Sequence, residues 1–225
     1  MYPKEVSTIL FDMDGVLFNT MPVHVSSWLE TTNNYGLKAK PEEFYLFEGQ
    51  PGRETIRHLY LRTFQTEPPQ HLVEEIYSYK TSRFMESADV NTLIPGITDI
   101  FEFASQKRWN IGVVTGSSQR ASLDKLKHHF GEYVSTSHIV TGDDVKRGKP
   151  SPEPYQKGMK MFEALPEETL VIENAPFGIQ SASLAGAYTI AVATGPIHDE
   201  VLRENGADRV FPDMPALKEW LQSHY

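Results

Sequence analysis

The chain contains no cysteine. Disulfides, thiolate zinc sites and cysteine nucleophiles are thereby excluded, although the compartment is not fixed by that alone. Long apolar runs are missing as well. The first run, Val6 to Phe11, ends at Asp12 and Asp14 and is too short and too acidic for the apolar part of a secretory signal. No stretch approaches the roughly 20 residues that cross a bilayer. Positive charge is in deficit: 21 Lys and Arg stand against 30 Asp and Glu, a net charge of −9. Such a chain has no general footprint for nucleic acid or an anionic membrane, so an anionic substrate has to be held by a local device. The expectation is a cytoplasmic protein with no nucleic-acid or membrane partner. Its oligomeric state is not legible, and a monomer is favoured.

What is present is an ordinary globular composition, 40% hydrophobic and 23% charged over 225 residues, with no internal repeat or low-complexity tract. That length suits one domain, or one domain carrying a smaller insertion. Short apolar runs at Ser7 to Phe11, Ile111 to Thr115, Leu170 to Ile172, Tyr188 to Ala193 and Arg209 to Phe211 read as buried strands. Helical patterns follow several of them; after Thr115-Gly116-Ser117-Ser118 come Leu123, Leu126 and Phe130, with Ser117 or Ser118 as N-cap. Strands alternating with helices predict an α/β fold, a Rossmann-like doubly wound parallel sheet that binds ligands at the carboxyl ends of its strands.

The stretch from about Met21 to Thr92 has no convincing strand. Val25, Trp28 and Leu29, then Ile56, Leu59, Tyr60 and Phe64, then Leu72, Ile76 and Phe84 form helical sets punctuated by prolines. These helices either pack on the sheet in sequence order or form a separate insertion. About 70 residues is too many for one crossover, which favours a core of 1–20 and 93–225 with an inserted helical cap at 21–92.

Asp12-Met13-Asp14-Gly15 places two carboxylates at a predicted strand end. Two such charges about 4 Å apart repel by roughly 4 kcal/mol at an effective dielectric of 20. A hard divalent cation, Mg²⁺ or Ca²⁺, removes that penalty; a solvated turn is the plainer alternative. An EF-hand does not fit, because Val16 falls on a ligand position. Thr115-Gly116-Ser117 can cradle an anion at a helix N-terminus, or merely cap it. Gly148-Lys149-Pro150 lacks P-loop spacing, and a lone lysine is ordinarily a surface charge. Glu173-Asn174-Ala175-Pro176 brings further oxygen ligands after a strand, or simply turns the chain.

Taken in order, these four segments resemble the signature motifs of the haloacid dehalogenase superfamily, over the whole chain. Thr20 and His24 downstream of Asp12, Pro152 after Lys149, and Gly178-Ile179 after Glu173 are similar to its β-phosphoglucomutase-like branch. The resemblance implies an enzyme in which Asp12 attacks phosphorus to form an aspartyl phosphate and Asp14 serves as general acid and base. It implies that Thr115, Gly116 and Ser117 hold phosphoryl oxygens while Lys149 bridges nucleophile and phosphoryl group. Mg²⁺ would be held by Asp12, the Asp14 backbone carbonyl and the Glu173-Asn174 pair. The family usually ends that motif in two acids; the amide here makes Asn174 the expected direct ligand, with Glu173 beside it.

By the same resemblance the cap carries the substrate contacts. His24 opens the first cap helix and Lys80 lies in the last, both expected to face substrate. Glu48 to Thr55 resembles the cap specificity loop. Sugar-phosphate mutases of the branch carry a basic residue at the position of Glu48 and an arginine at that of Gly52; Arg53 comes one residue late and is turned away on a helix. Glu48 would repel a bare phosphate but suit a metal-chelated one, as in a pyrophosphatase subgroup. The expected substrate is a small phosphate compound, first of all inorganic pyrophosphate. The alternatives are a β-phosphoglucomutase, a broad sugar-phosphate phosphatase, or a non-catalytic phosphate-binding module, which would be expected to lose Asp12, Asp14 or Lys149.

Overall fold

A computed structural model describes residues 2–87, 92–117 and 120–225. Its six strands form one parallel sheet: β1 (Thr8–Phe11), β2 (Asn110–Val114), β3 (Ile139–Val140), β4 (Thr169–Glu173), β5 (Tyr188–Val192) and β6 (Arg209–Phe211), in the spatial order β3-β2-β1-β4-β5-β6. β1 is central, with Phe11 level with Val113 of β2 and Ile172 of β4. The order reverses on either side of β1, so the loops at its carboxyl end open a crevice.

The alternation of side chains along a strand decides which layer each residue joins. Ile9 and Phe11 point into a layer with Phe101 of α5 (Ile97–Gln106), Phe130 of α6 (Arg120–Phe130) and Leu217 of α10 (Met214–His224). Leu10 points the other way, onto Tyr155 and Met159 of α7 (Glu153–Lys160) and Ala182 of α8 (Pro176–Leu184). Phe11 stacks on Phe101 at 4.6 Å and Phe101 on Phe130 at 4.3 Å. Each fully buried ring of this kind is worth about 1.5–3 kcal/mol in transfer free energy. With both faces covered, the strands read as continuous apolar runs rather than alternating ones.

Five of the six strands coincide with the expected runs to within two residues at each end. The sixth, β3, was not expected: it is two residues long on the sheet edge, and Ile139-Val140 is too brief a run to stand out. The final helices are α9 (Asp199–Glu204), over β5 and β6, and α10.

Helices α1 (Met21–Tyr35), α2 (Pro41–Leu46), α3 (Gly52–Phe64) and α4 (Gln70–Met85) bury an apolar cluster of their own, Val25, Trp28, Phe44, Ile56, Leu59, Val73 and Ile76. The two segments joining this cluster to the sheet run side by side. The Asn19 amide donates to the Thr92 carbonyl at 2.7 Å and the Ile94 amide to the Leu17 carbonyl at 3.0 Å, around an antiparallel Phe18–Leu93 bridge. These pairs lie at the two ends of the expected insertion, residues 21–92; Asn91 lies outside the described residues. Among the described residues no helix is long and apolar enough to cross a membrane.

Candidate active site

The carboxyl ends of β1, β2 and β4 bring the expected core residues together. The Asp12 amide donates to the Ile172 carbonyl at 3.0 Å, carrying the β1–β4 ladder one residue past the strand and fixing where the carboxylate stands. Its Oδ1 accepts from Lys149 Nζ at 2.6 Å, while Oδ2 is buried without a partner. Burial pushes the Asp12 carboxyl up to about 7; Lys149 opposes the rise, and the Glu173 and Asp14 charges add to it. Burial alone would lower Lys149, but the Asp12 and Glu173 carboxylates outweigh it and hold the ammonium well above its ordinary value. Lys149 is therefore a permanent cation against Asp12.

Glu173 is fully occupied. Its Oε1 accepts from Lys149 Nζ at 2.6 Å and Tyr155 Oη at 2.8 Å, and its Oε2 from the amides of Asn174 at 2.9 Å and Ala175 at 3.3 Å. Four donors saturate a carboxylate. The geometry does not favour the expectation of Glu173 among the metal ligands; the side chain positions Lys149. Gly178 leaves the room it needs, since a Cβ there would lie 1.7 Å from Glu173 Oε1.

Asn174 is free to act otherwise, because its Oδ1 is buried with no partner. Gly15 makes space for this amide: its φ of +83° is in the left-handed region, and a Cβ would stand 2.1 Å from Asn174 Nδ2. Two orphaned oxygens, Asp12 Oδ2 and Asn174 Oδ1, thus project from the ends of neighbouring strands. Buried oxygens seldom go unpaired, and a hard cation requires such donors. No cluster of three His, Cys, Asp or Glu side chains suited to a metal exists among the described residues, so the fit depends on an amide and a backbone carbonyl as well as a carboxylate.

Asp14 faces the helices. Its Oδ1 accepts from Thr20 Oγ1 at 2.6 Å and lies 3.5 Å from His24 Nε2. Burial would raise this carboxyl, yet the close approach of His24, the hydrogen bond from Thr20 and the Lys125 charge hold it down to about 2. His24 is lowered by burial and by Lys80, whose Nζ lies 2.7 Å from Nδ1. An ammonium only donates, so Nδ1 accepts and Nε2 carries the hydrogen toward Asp14. The imidazole stacks on Phe84 with centroids 4.2 Å apart.

Asp14, His24, Glu48, Lys80, Gly116 and Ser117 line one cavity of about 80 Å³. Burial, followed by the Asp14 and Asp12 charges, pushes the Glu48 carboxyl well above its ordinary value, against Lys80 and Lys149. Burial lowers Lys80 to about 8, opposed by Glu48 and Asp14. Thr115 is buried, and its Oγ1 accepts from the Ser117 amide at 3.0 Å; Ser118 lies outside the described residues. Arg53 is withdrawn, paired with Glu74 through Nε and Nη2 at 2.7–2.9 Å and lying over the Tyr77 ring. Sequence reasoning missed Tyr155, which reads as a core aromatic, and the cavity walls Trp28, Phe44 and Phe47, whose helical spacing reads as ordinary packing.

A buried carboxylate at the end of the central strand, paired with a lysine beside a Thr-Gly-Ser turn, suits an α/β enzyme of group transfer. The chain belongs to the haloacid dehalogenase-like hydrolase family, whose model matches residues 9–192. It is 28% identical over 204 residues to a phosphorylated carbohydrates phosphatase of Thermotoga maritima, covering 90% of this chain and 92% of that one. With pyrophosphatase PpaX of Anoxybacillus flavithermus the identity is 30%, over 84% of each chain. A solved structure from Bacteroides vulgatus, provisionally described as a beta-phosphoglucomutase, superposes with a TM-score of 0.93 at 39% identity, covering 99% of this chain and 91% of that one. The chain is thus an enzyme of the phosphatase and phosphoglucomutase-like type.

Proposed function

We propose that the chain is a Mg²⁺-dependent phosphohydrolase acting through an aspartyl phosphate on a small phosphate compound, with inorganic pyrophosphate the substrate. Residues 1–20 and 93–225 serve as the reaction core and residues 21–92 as the cap.

Asp12 attacks phosphorus; the new bond joins its carboxylate oxygen to phosphorus as the bond to the leaving oxygen breaks. Lys149 favours the anionic carboxylate against burial and offsets its repulsion from the phosphoryl oxygens. Thr115 and the amides of Gly116 and Ser117 take up those oxygens. The phosphate leaving pyrophosphate departs as a stable anion without a proton from Asp14; the ionised Asp14 then removes a proton from the water that attacks the phosphoenzyme and passes it to solvent, as phosphate is released and Asp12 restored. Mg²⁺, which neutralises anionic charge at such a centre, would be held by the orphaned Asp12 and Asn174 oxygens and the Asp14 carbonyl.

The observation that carries the choice of substrate is Glu48 facing the reaction cavity while Arg53 is tied back to Glu74. A buried acid there repels a bare phosphate and suits one that arrives chelated to a divalent cation. The held-down Asp14 agrees, since a departing phosphate needs less proton donation than a sugar alkoxide. The cavity is also small for a hexose carrying two phosphates. The 39% identity to the Bacteroides vulgatus protein supports the second reading, interconversion of hexose 1- and 6-phosphates.

Turnover of pyrophosphate, β-glucose 1-phosphate and an aryl phosphate with Mg²⁺ separates these readings. Pyrophosphate should lead in kcat/KM by about 100-fold. Turnover no better than that of the aryl phosphate overturns the choice, and net conversion of β-glucose 1-phosphate to the 6-phosphate establishes the mutase.

A further inference from the structure

Where the helical half meets the sheet half, backbone lies on backbone. A Cβ on Gly116 would stand 3.4 Å from the Gly49 carbonyl oxygen. Beside them Pro51 rests on Gly148: a Cβ there would meet Pro51 Cγ at 2.8 Å and Cδ at 3.3 Å, and no other described residue beyond its chain neighbours within 4 Å. A pyrrolidine ring cannot swing aside as a flexible side chain can. Pro51 is held from its own side too, its carbonyl accepting from the Glu54 and Thr55 amides at 2.9 and 3.2 Å as α3 begins.

This seam divides two spaces of unequal size. Inside is the cavity of about 80 Å³ that Asp14, His24, Glu48 and Lys80 line. Outside is an open groove of about 890 Å³, lined by Glu54, Asp143, Lys146, Arg147 and Phe177, by the two seam residues Pro51 and Gly148, and at its inner end by Lys149. Gly49, Gln50, Gly52, Tyr77 and Gly116 line both, so the partition is a single layer of chain. The groove joins charged side chains of both signs to the rings of Tyr77 and Phe177, a lining with room for the organic part of a phosphate ester.

We propose that the Pro51–Gly148 contact is a size filter. When seated, it confines the reacting phosphate to the inner cavity and rejects esters whose organic part must extend into the groove. The inference rests on the reaction centre proposed above, but not on pyrophosphate being its substrate. Gly148 sits next to Lys149, so a change there has to be separated from simple damage to the lysine; Pro51 supplies that control from the opposite side of the seam.

The test is kcat/KM for two small probes, pyrophosphate and acetyl phosphate, and one large probe, glucose 6-phosphate. Gly148→Ala wedges the seam open and should lower kcat/KM for the small probes by about tenfold while raising the large-to-small ratio by at least about tenfold. Adding Pro51→Ala removes the ring carbons the new methyl would strike and should return the ratio to within about threefold of the parent. Pro51→Ala alone leaves a gap and should shift the ratio the same way, by about threefold. An unchanged ratio in Gly148→Ala, or a shift that Pro51→Ala does not reverse, overturns the filter. If Gly148→Ala fails to fold, Pro51→Ala alone decides, and an unchanged ratio overturns it. Parent turnover of acetyl phosphate without pyrophosphate refutes only the substrate choice, and the acetyl phosphate ratios still decide the filter.

Discussion

Glu173 and Glu48 are both acids close to lysines, on opposite sides of one site, and they are treated differently. Glu173, on the sheet side, receives four donors and passes order to Lys149 and thence to Asp12. Glu48, on the helical side, is set against the Asp14 and Asp12 carboxylates, and first burial, then those charges, push its carboxyl well above the ordinary range. Lys80 beside it is lowered to about 8. Around Glu173 the sheet side is a satisfied network that fixes the geometry of Lys149 and Asp12. The helical side holds its charges under tension until something bound between the halves relieves it, and substrate choice is expected to lie there.

That contrast can be broken most decisively at Asp12. Asp12→Asn keeps the volume and removes the nucleophile, so kcat should fall by at least about 10³-fold in a phosphate-release assay. Activity surviving deamidation controls would mean that the sheet side does not carry the chemistry. Next is the cation. Chelation should abolish turnover, and Asn174→Ala should raise the Mg²⁺ concentration for half-maximal activity by about 10–100-fold, with Asn174→Asp close to the parent; unaltered affinity in the alanine variant would remove Asn174 from the ligand set. Tyr155→Phe deletes one donor to Glu173 without changing the packing. A loss of roughly 3–10-fold in kcat with KM unchanged would mark a positioning residue acting through Lys149.

The smallest effect concerns stability and reverses in sign from the others. A carboxyl whose folded-state pKa exceeds its unfolded value penalises the fold above the unfolded value, 4.5 for Glu48; below it both states are protonated and the penalty vanishes. Glu48→Gln should therefore raise Tm at pH 8 without divalent cations, by on the order of 2–4 °C per kcal/mol relieved, and leave it unchanged at pH 4. The same variant should lose pyrophosphate turnover. A drop in Tm at pH 8 would show Glu48 to be a structural acid.

The sheet side was the more legible half for a physical reason. Strands buried on both faces leave uninterrupted apolar runs, and each run ends where a polar residue such as Asp12, Thr115 or Glu173 begins the loop. β3 escaped because two residues make no run. On the helical side, His24 and Lys80 were accessible only through resemblance. Lys80 sits among buried residues of α4, Val73, Ile76 and Phe84, and nothing in a helical period tells a buried ammonium from a snorkelling one. The role of Glu173 was hidden for another reason. Which of two adjacent polar residues turns toward a lysine and which toward a cation depends on neighbours such as Tyr155 and Gly178, which only the fold brings near.

The twin connectors at Asn19 and Thr92 have a wider consequence. Because the outgoing and returning strands of chain are laced together before the helices begin, the chain enters and leaves the helical segment through one narrow neck. A module attached in this way can be lengthened, trimmed or exchanged without disturbing strand order, as insertions are tolerated wherever their two ends lie close together. Evolution, or an engineer, can then alter what is recognised by grafting at that neck, leaving the phosphorus chemistry beneath it intact.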